Sequence, residues 1–121
     1  MREIKFRAWN KISSRMDNWY NLVDKNLRNI FIMKDHNGYE LMQYTGIKDR
    51  DGKEIYEGDI VEGKSYNINN DLIDINYFQV IQDIEGWKLK HKNYRKNKKI
   101  RFAKYMKVIG NIYENPELLE Y

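Results

Sequence analysis

The chain of 121 residues contains no cysteine. Disulfides, thiol nucleophiles and thiolate metal sites are therefore excluded, and a reducing compartment is indicated. With one proline and seven glycines, no segment is typical of collagen, a linker or low-complexity sequence. No stretch approaches the roughly 20 apolar residues of a membrane span, and the charged start MREIKFRAWN lacks the apolar run of a signal peptide. We expect a cytoplasmic protein with no membrane partner.

The residue patterns of common catalytic sites are also missing. A nucleophile needs a neighbouring base and an orienting group, but Ser13, Ser14 and Thr45 have no histidine near them in sequence. His36 sits alone at a turn signal, and the segment TGIKDRDGK lacks the GxxxxGK[ST] pattern of a phosphate-binding loop. We expect no enzymatic activity and no cofactor.

The composition favours a folded chain. Hydrophobic residues make up 41% and aromatic residues 14% of the sequence, whereas disordered chains are poor in both. A chain of this length is the size of one domain. We therefore expect a single domain covering residues 1–121.

The segment from Leu41 to Gly63, LMQYTGIKDRDGKEIYEGDIVEG, combines apolar alternation with turn chemistry. Asp51-Gly52 is the dipeptide that a two-residue hairpin loop prefers, because glycine tolerates positive φ and aspartate bonds its own backbone. Gly58-Asp59, ahead of a β-branched pair, is typical of a tight bend or bulge. The segment predicts a β-hairpin.

Alternation and turn signals predict most of the remaining elements. Asn115-Pro116-Glu117 has the features of a helix start, and polar residues predict a loop from Ser65 to Asn76. The basic residues up to Lys99 predict an exposed loop, after which Ile100, Phe102 and Tyr105 regain alternation. The predicted strands are Glu3–Trp9, Met16–Val23, Leu27–Lys34, Tyr39–Tyr44, Tyr77–Ile84, Trp87–Leu89 and Val108–Tyr113. For Leu27–Lys34 a helical turn is the alternative, because periodicity does not settle so short a segment. Short strands with closely spaced turns predict a mainly β fold, a small, partly open barrel, SH3-like or related, built from hairpins with a short C-terminal helical turn.

Three segments carry a family resemblance: MREIKFRAW, YTGIKDRDGKEIYEGDIV and VIGNIYENPELL. They resemble the two ends and the centre of the YopX family, small proteins found in bacteriophages and prophages. The resemblance implies a phage- or prophage-type accessory protein in the cytoplasm of a bacterial host. The family has no established biochemical activity to carry over.

Positive charge is concentrated in one segment. Residues 88–107 contain ten lysines and arginines and no acidic residue; removing those ten from the 22 basic residues leaves 12 against 18 acidic residues elsewhere. Such cations neutralise phosphates, and interleaved aromatic residues can stack on unpaired bases. The candidate nucleic-acid-binding residues are Lys88, Lys90, Lys92, Tyr94, Arg95, Lys96, Lys98, Lys99 and Arg101. The alternative is a solvated loop that keeps the protein soluble or pairs with the acidic remainder.

Carboxylates cluster around the central hairpin, and hard cations are bound by several oxygens. An EF-hand reading fails, because it leaves Ile47 at its first position and Gly58 at its last. In an alternating hairpin these side chains form the wet face and the turn, so we predict no metal site. The cluster comprises Asp49, Asp51, Glu54, Glu57, Asp59 and Glu62.

Two hypotheses of different classes follow. The first is a non-catalytic protein that binds DNA or RNA through the basic segment. The second is a protein-interaction or homo-oligomeric assembly module, in which hairpin edges, the C-terminal ELLEY sequence and the charge asymmetry bind a second copy or a host protein.

Overall fold

The computed structural model describes residues 3–23 and 38–120. Their contacts divide the chain into two compact units, Met1–Tyr44 and Thr45–Tyr121. Within the described ranges, no helix is long and apolar enough to cross a bilayer. The single domain predicted from length stays a prediction.

The first unit is a small β-structure with one short helix. Its strands are β1 (Phe6–Asn10), β2 (Arg15–Asp17) and the first part of β3 (Tyr39–Lys48), and α1 spans Trp19–Val23. β1 pairs antiparallel with both other strands. The alternation at the N-terminus therefore predicted a strand correctly, although it begins later than Glu3. Ala8 and Leu22 are buried here, with Phe6, Trp19, Tyr39 and Leu41 packed against them.

The second unit contains the remaining strands and two 3-10 helices. The strands are β4 (Glu54–Tyr56), β5 (Asp59–Tyr66), β6 (Leu72–Asp83), β7 (Gly86–Lys90), β8 (Lys98–Lys99) and β9 (Lys107–Asn111). The helices are η1 (Ile100–Tyr105) and η2 (Pro116–Glu120). The core contains Ile55, Val61, Phe78, Val80, Trp87, Leu89, Ala103, Met106 and Val108.

The described residues form two antiparallel sheets, ordered β2-β1-β3-β4 and β8-β7-β6-β5-β9. One of the sheets curls into a half-barrel. The mainly β class and the short C-terminal helical turn are thus confirmed. The predicted strand Leu27–Lys34 and the turn histidine His36 lie outside the described residues.

The central hairpin is confirmed, with a longer loop than predicted. The Asp49 N–H donates to the Lys53 carbonyl (2.8 Å) and the Gly52 N–H to the Asp49 carbonyl (3.0 Å), so three residues reverse the chain. Gly52 has φ of +84°, the left-handed conformation that closes a three-residue hairpin loop with a bulge. At the next reversal, the buried Asp59 carboxylate accepts the Tyr56 N–H at 2.8 Å, as its position after Gly58 indicated.

Three local predictions were wrong. Residues 16–23 are not one strand: Asn18 accepts the Asn21 N–H at 2.9 Å through Oδ1 and so caps the start of α1. The predicted loop at 65–76 is mostly the β5–β6 hairpin, with a reversal held by Asn67, whose Oδ1 accepts the Asn69 and Asp71 N–H groups. Residues 100–105 form η1 instead of an alternating strand, and the buried residue of this helix is Ala103.

Candidate nucleic-acid interface

The basic segment, residues 88–107, is held by regular structure at both ends. It begins in β7, which pairs with β6, and it ends in η1 and the first residues of β9. The loop after β7 returns to it through β8, where Lys99 lies opposite Lys88 and Lys98 opposite Leu89. The loop predicted up to Lys99 is thus found as a loop closed by the two-residue strand β8.

The candidate cations are mostly exposed and unpaired. Lys90, Lys92, Arg95, Lys96, Lys98, Lys99 and Arg101 are exposed, whereas Lys88 is partly buried. Among the residues that the structure describes, only Lys88 of this segment forms an ion pair within 4 Å, with Glu85 at 3.4 Å. The alternative in which the segment pairs with the acidic remainder receives little support from these contacts.

The pairing of Lys88 with Lys99 places two ammonium-bearing side chains on directly opposed strand positions. Like charges at directly opposed positions destabilise a sheet. Glu85 offsets part of this repulsion, but it is itself largely exposed. A polyanion beside β7 and β8 would reduce the repulsion between Lys88 and Lys99.

Three rings, Phe78, His91 and Tyr94, form a cluster at the start of the loop. Phe78 on β6 is buried, and the His91 ring lies against it with centroids 5.4 Å apart. Tyr94 stacks on His91 at 4.0 Å with an interplanar angle of 18°. The Tyr94 hydroxyl donates a 3.3 Å hydrogen bond to Asn76 Oδ1. Tyr94, predicted as an exposed aromatic residue, is therefore held in one orientation by other residues.

Phe78 and His91 were missed from the sequence, although a signal was present. Asp83 pairs with Gly86 and Gln79 with Lys90 across the β6–β7 hairpin. Continuing that register by one residue places Phe78 opposite His91. The turn at Glu85-Gly86 therefore sets the register of β6 against β7. Applying this register to Phe78 and His91 requires knowing that β6 extends beyond the end of β7.

The other two aromatic residues of the segment contact cations. Phe102 is partly buried, with Lys98 Nζ 5.2 Å and the Arg101 guanidinium carbon 5.2 Å from its ring centroid. Tyr105 has Lys104 Nζ 5.0 Å from its centroid. Cations above an aromatic face compete with a base for that face. Phe102 is thus a support for cations more than a stacking surface.

A groove of about 200 Å³ adjoins the cluster. The residues that line it carry no carboxylate, and they combine two ammonium groups with polar and apolar side chains. Leu118 and Leu119 of η2 form part of its wall, so these half-buried leucines pack on their own unit. The lining residues are Tyr77, Gln79, Lys90, His91, Lys92, Leu118 and Leu119.

The carboxylates of the central hairpin differ in their burial and in their hydrogen-bond partners. Asp49 is only 6% exposed; its Oδ1 accepts the Asp51 and Lys53 N–H groups at 2.9 Å each, and its Oδ2 accepts the Val108 N–H at 2.9 Å. Burial raises the pKa of Asp49, but these three hydrogen bonds and the Lys53 charge outweigh it and hold the pKa below its ordinary value. Asp49 is therefore an ionised structural group.

No group of three or more histidine, aspartate or glutamate side chains is placed to hold a metal ion within residues 3–23 and 38–120. Asp51 is exposed at the hairpin turn, Asp59 is buried and bonds Tyr56, and Glu62 lies 3.6 Å from Lys64. Glu54 and Glu57 are partly buried. The structure thus distributes these side chains among separate contacts.

The family model described as YopX protein matches residues 5–120 of the chain. Among solved structures, the chain is similar to the crystal structure of protein EF1440 from Enterococcus faecalis. The two share 23% sequence identity with a TM-score of 0.65, over 98% of this chain and 99% of that one. At this identity the similarity concerns the fold alone. No curated protein sequence matches the chain.

Proposed function

We propose that this chain, which belongs to the YopX family, is a non-catalytic phage- or prophage-type accessory protein that binds DNA or RNA through its basic segment. The observation that carries this proposal is the row of exposed cations from Lys90 to Arg101, which have no ion-pair partner among the described residues. It acts in the cytoplasm of the bacterial host and uses no cofactor or catalytic residue.

The chemistry of the segment favours contacts with the sugar-phosphate backbone. Lysine is a compact point charge without the planar fork that reads guanine edges. Eight of the ten cations in residues 88–107 are lysines, and the other two are Arg95 and Arg101. Phosphate contacts position a protein on nucleic acid but carry no sequence information. Binding is therefore expected to depend strongly on salt and weakly on sequence.

Fluorescence anisotropy across a salt series, with labelled single- and double-stranded DNA and with RNA, tests this proposal. The variant Lys96→Gln/Lys98→Gln/Lys99→Gln removes three exposed charges from the segment. If each contacts one phosphate, the slope of log K against log salt should become shallower by roughly 2 to 3. The matched control, Lys11→Gln/Lys48→Gln/Lys64→Gln, removes the same charge elsewhere, and its binding should be nearly that of the wild type. Equal losses in both variants, or no binding near physiological salt, would overturn the proposal.

A second function, assembly with another copy or with a host protein, is favoured by the outer part of the β5–β6 hairpin. β9 accompanies β5 only as far as Glu62, and β7 accompanies β6 only from Gln79. The remaining part, residues 63–76, therefore has edges without a neighbouring strand among those described. Its exposed apolar residues are Tyr66, Ile68, Leu72, Ile73 and Ile75. Open apolar edges are templates for strand pairing.

Light scattering over a range of protein concentrations tests assembly. The variant Leu72→Thr/Ile73→Thr/Ile75→Thr keeps β-forming residues but removes apolar surface, so an oligomer held by this hairpin should become a monomer. Ile12→Thr/Ile84→Thr alters two exposed isoleucines elsewhere and is the control. Leu118→Ala/Leu119→Ala examines the C-terminal leucines separately. If the wild type is a monomer at all concentrations, assembly with another copy is rejected, and binding to a host protein is the part of this second function that is left to test.

We further propose that the five-stranded sheet is an SH3-like, partly open barrel. Its order β8-β7-β6-β5-β9 is a run of four sequential strands with the last strand added beside the first. The 3-10 helix η1 directly precedes that last strand. These two features support the assignment.

A further inference from the structure

We infer that the open face of Tyr94 is a stacking platform for an unpaired base, so that the chain prefers single-stranded nucleic acid over duplex. The inference rests on the proposed nucleic-acid binding and identifies the class of nucleic acid. The relationship that carries it is the parallel stack of Tyr94 on His91, with centroids 4.0 Å apart.

The stack covers only one face of Tyr94. His91 lies nearly parallel beneath the ring at 18°, while Phe78 meets it at a tilt of 47° and a centroid distance of 6.4 Å. Tyr94 nevertheless remains 50% exposed. Its ring contacts among the described residues are with His91 and Phe78, so the face opposite His91 is the one that we assign to a base. A flat π-surface of this kind is what a base requires for stacking.

The platform is oriented before any ligand binds. The Tyr94 hydroxyl donates to Asn76 Oδ1 at 3.3 Å, and its N–H donates to the His91 carbonyl at 3.2 Å. The Asn93 N–H donates to His91 Nδ1 at 3.1 Å. Because these contacts fix both rings, little side-chain entropy is lost when a base stacks.

Charges suited to the adjoining phosphates surround the platform. Arg95 and Lys96 follow Tyr94 directly and are exposed, as is Lys92 two residues before it. The groove that begins at His91 presents Lys90 and Lys92 and has no carboxylate in its lining. A strand with one base on Tyr94 can therefore place neighbouring phosphates among these cations.

The requirement for an unpaired base follows from the geometry of nucleic acids. In a duplex both faces of each base are covered by its neighbours, whereas splayed bases of single strands offer a free face to aromatic side chains. A duplex would gain the phosphate contacts alone. The expected difference in binding free energy between single-stranded and duplex nucleic acid is thus the contribution of one stacked base.

The test compares a labelled single-stranded oligonucleotide with its duplex by fluorescence anisotropy. Tyr94→Ala should weaken single-strand binding by about 5- to 140-fold, the range for loss of one aromatic stack, and change duplex binding by less than about 2-fold. Tyr94→Phe and Tyr94→Trp should retain the preference. Tyr105→Ala is the matched control. Tyr105 is 69% exposed in the same segment, and its contact is with Lys104, with no ring of residues 3–23 and 38–120 stacked on it.

A spectroscopic readout separates stacking from a structural role. An oligonucleotide carrying 2-aminopurine should lose fluorescence on binding the wild type and keep it with Tyr94→Leu, which retains apolar cover over His91 without a π-face. Circular dichroism shows whether Tyr94→Ala folds. If it does not fold, Tyr94→Leu replaces it in the binding comparison.

The outcomes distinguish this inference from the proposed function. Equal affinity for both forms, with Tyr94→Ala without effect and the lysine variant weaker on both, would overturn the platform and leave backbone binding in place. No binding to either form by the wild type would overturn both. Loss restricted to single strands in Tyr94→Ala and Tyr94→Leu would support the platform.

Discussion

Asp49 and Val108 are 59 positions apart in the chain, and a buried hydrogen bond joins them: the Val108 N–H donates to Asp49 Oδ2 at 2.9 Å. Oδ1 of the same carboxylate accepts the Asp51 and Lys53 N–H groups. One side chain therefore closes the central hairpin loop and holds the start of β9. The family-like segment at the centre of the chain and the one near its end meet at this carboxylate.

Replacing Asp49 should destabilise the fold at neutral pH. Asn has a single acceptor oxygen, so Asp49→Asn leaves at least one of the three N–H groups facing an amide donor. We expect a loss of about 1–3 kcal/mol in the free energy of unfolding, measured by urea denaturation. Asp51→Asn, at an exposed residue of the same loop, should change it by less than about 0.5 kcal/mol.

The effect should also depend on pH. The folded protein holds the pKa of Asp49 below the ordinary value of 3.8. Its ionised form therefore stabilises the fold fully above that value, and this contribution is lost as the pH falls from there through the lowered pKa of the folded protein. The difference between wild type and Asp49→Asn should therefore be constant near neutrality and shrink below about pH 4. A difference that stays unchanged into that acidic range would contradict the charged role.

Gly110 on β9 is predicted to tolerate no side chain. A Cβ at this position would lie 2.7 Å from Asn115 Cγ, closer than such atoms approach. Gly110→Ala should cost about 1–3 kcal/mol of stability, measured by denaturant unfolding. Gly110→Ala/Asn115→Gly removes the obstructing side chain and should recover part of the loss.

The control for this pair is Gly63→Ala. There the added carbon would meet the flexible end of Met106, with Cε at 3.2 Å, and a methionine terminus moves at small cost. A loss for Gly63→Ala as large as that for Gly110→Ala would argue against the close approach as the cause.

Gly52 should be restricted by conformation alone. Its φ is +84°, and nothing lies within 4 Å of a Cβ built there. Gly52→Ala is therefore expected to lower the melting temperature through a conformational cost of about 1 kcal/mol. Gly52→Asn should cost less, because asparagine enters the left-handed region more readily. Asp51→Ala, in the same loop, is the control, and an equal effect of all three changes would refute the explanation.

The two compact units are expected to unfold together. Among the described residues of the first unit, one buried cluster contains Ala8 and Leu22, and a small sheet gains stability from the strands that continue it. β3 passes through both units. Leu22→Ala and Leu89→Ala replace fully buried leucines. Each variant should unfold in a single transition, with a free energy of unfolding about 2–5 kcal/mol below that of the wild type.

Tryptophan fluorescence can report on each unit separately. Trp87→Phe leaves the probes Trp9 and Trp19 in the first unit, and Trp9→Phe/Trp19→Phe leaves Trp87 in the second. Coincident urea transitions in the two backgrounds are expected for a single domain. Separate midpoints would mean that the predicted domain 1–121 is two folding units.

Local patterns predicted those elements whose causes are local. Alternation in β1, the left-handed glycine at 52 and the tight reversal at Gly58-Asp59 each depend on residues only a few positions apart, and all three were identified. The strand predicted through 16–23 failed for a reason that was also local but weak: a single asparagine cap at Asn18 prevailed over the β-propensity of aromatic neighbours. Residues 100–105 form a 3-10 helix whose buried residue is Ala103, a position that the alternation of Ile100 and Phe102 did not mark.

For the candidate interface too, some features follow from the sequence and others follow only from the tertiary structure. The sequence alone determined where positive charge is concentrated, because charge density along the chain needs no contacts to read, and it determined the mainly β class through period and turns. The tertiary structure decided which aromatic residue has an open face, since Phe78, His91 and Tyr94 meet only when β6 and β7 are in register. It also decided that Asp49 is a structural group. Both depend on residues far apart in sequence, whose proximity is set by strand pairing and burial.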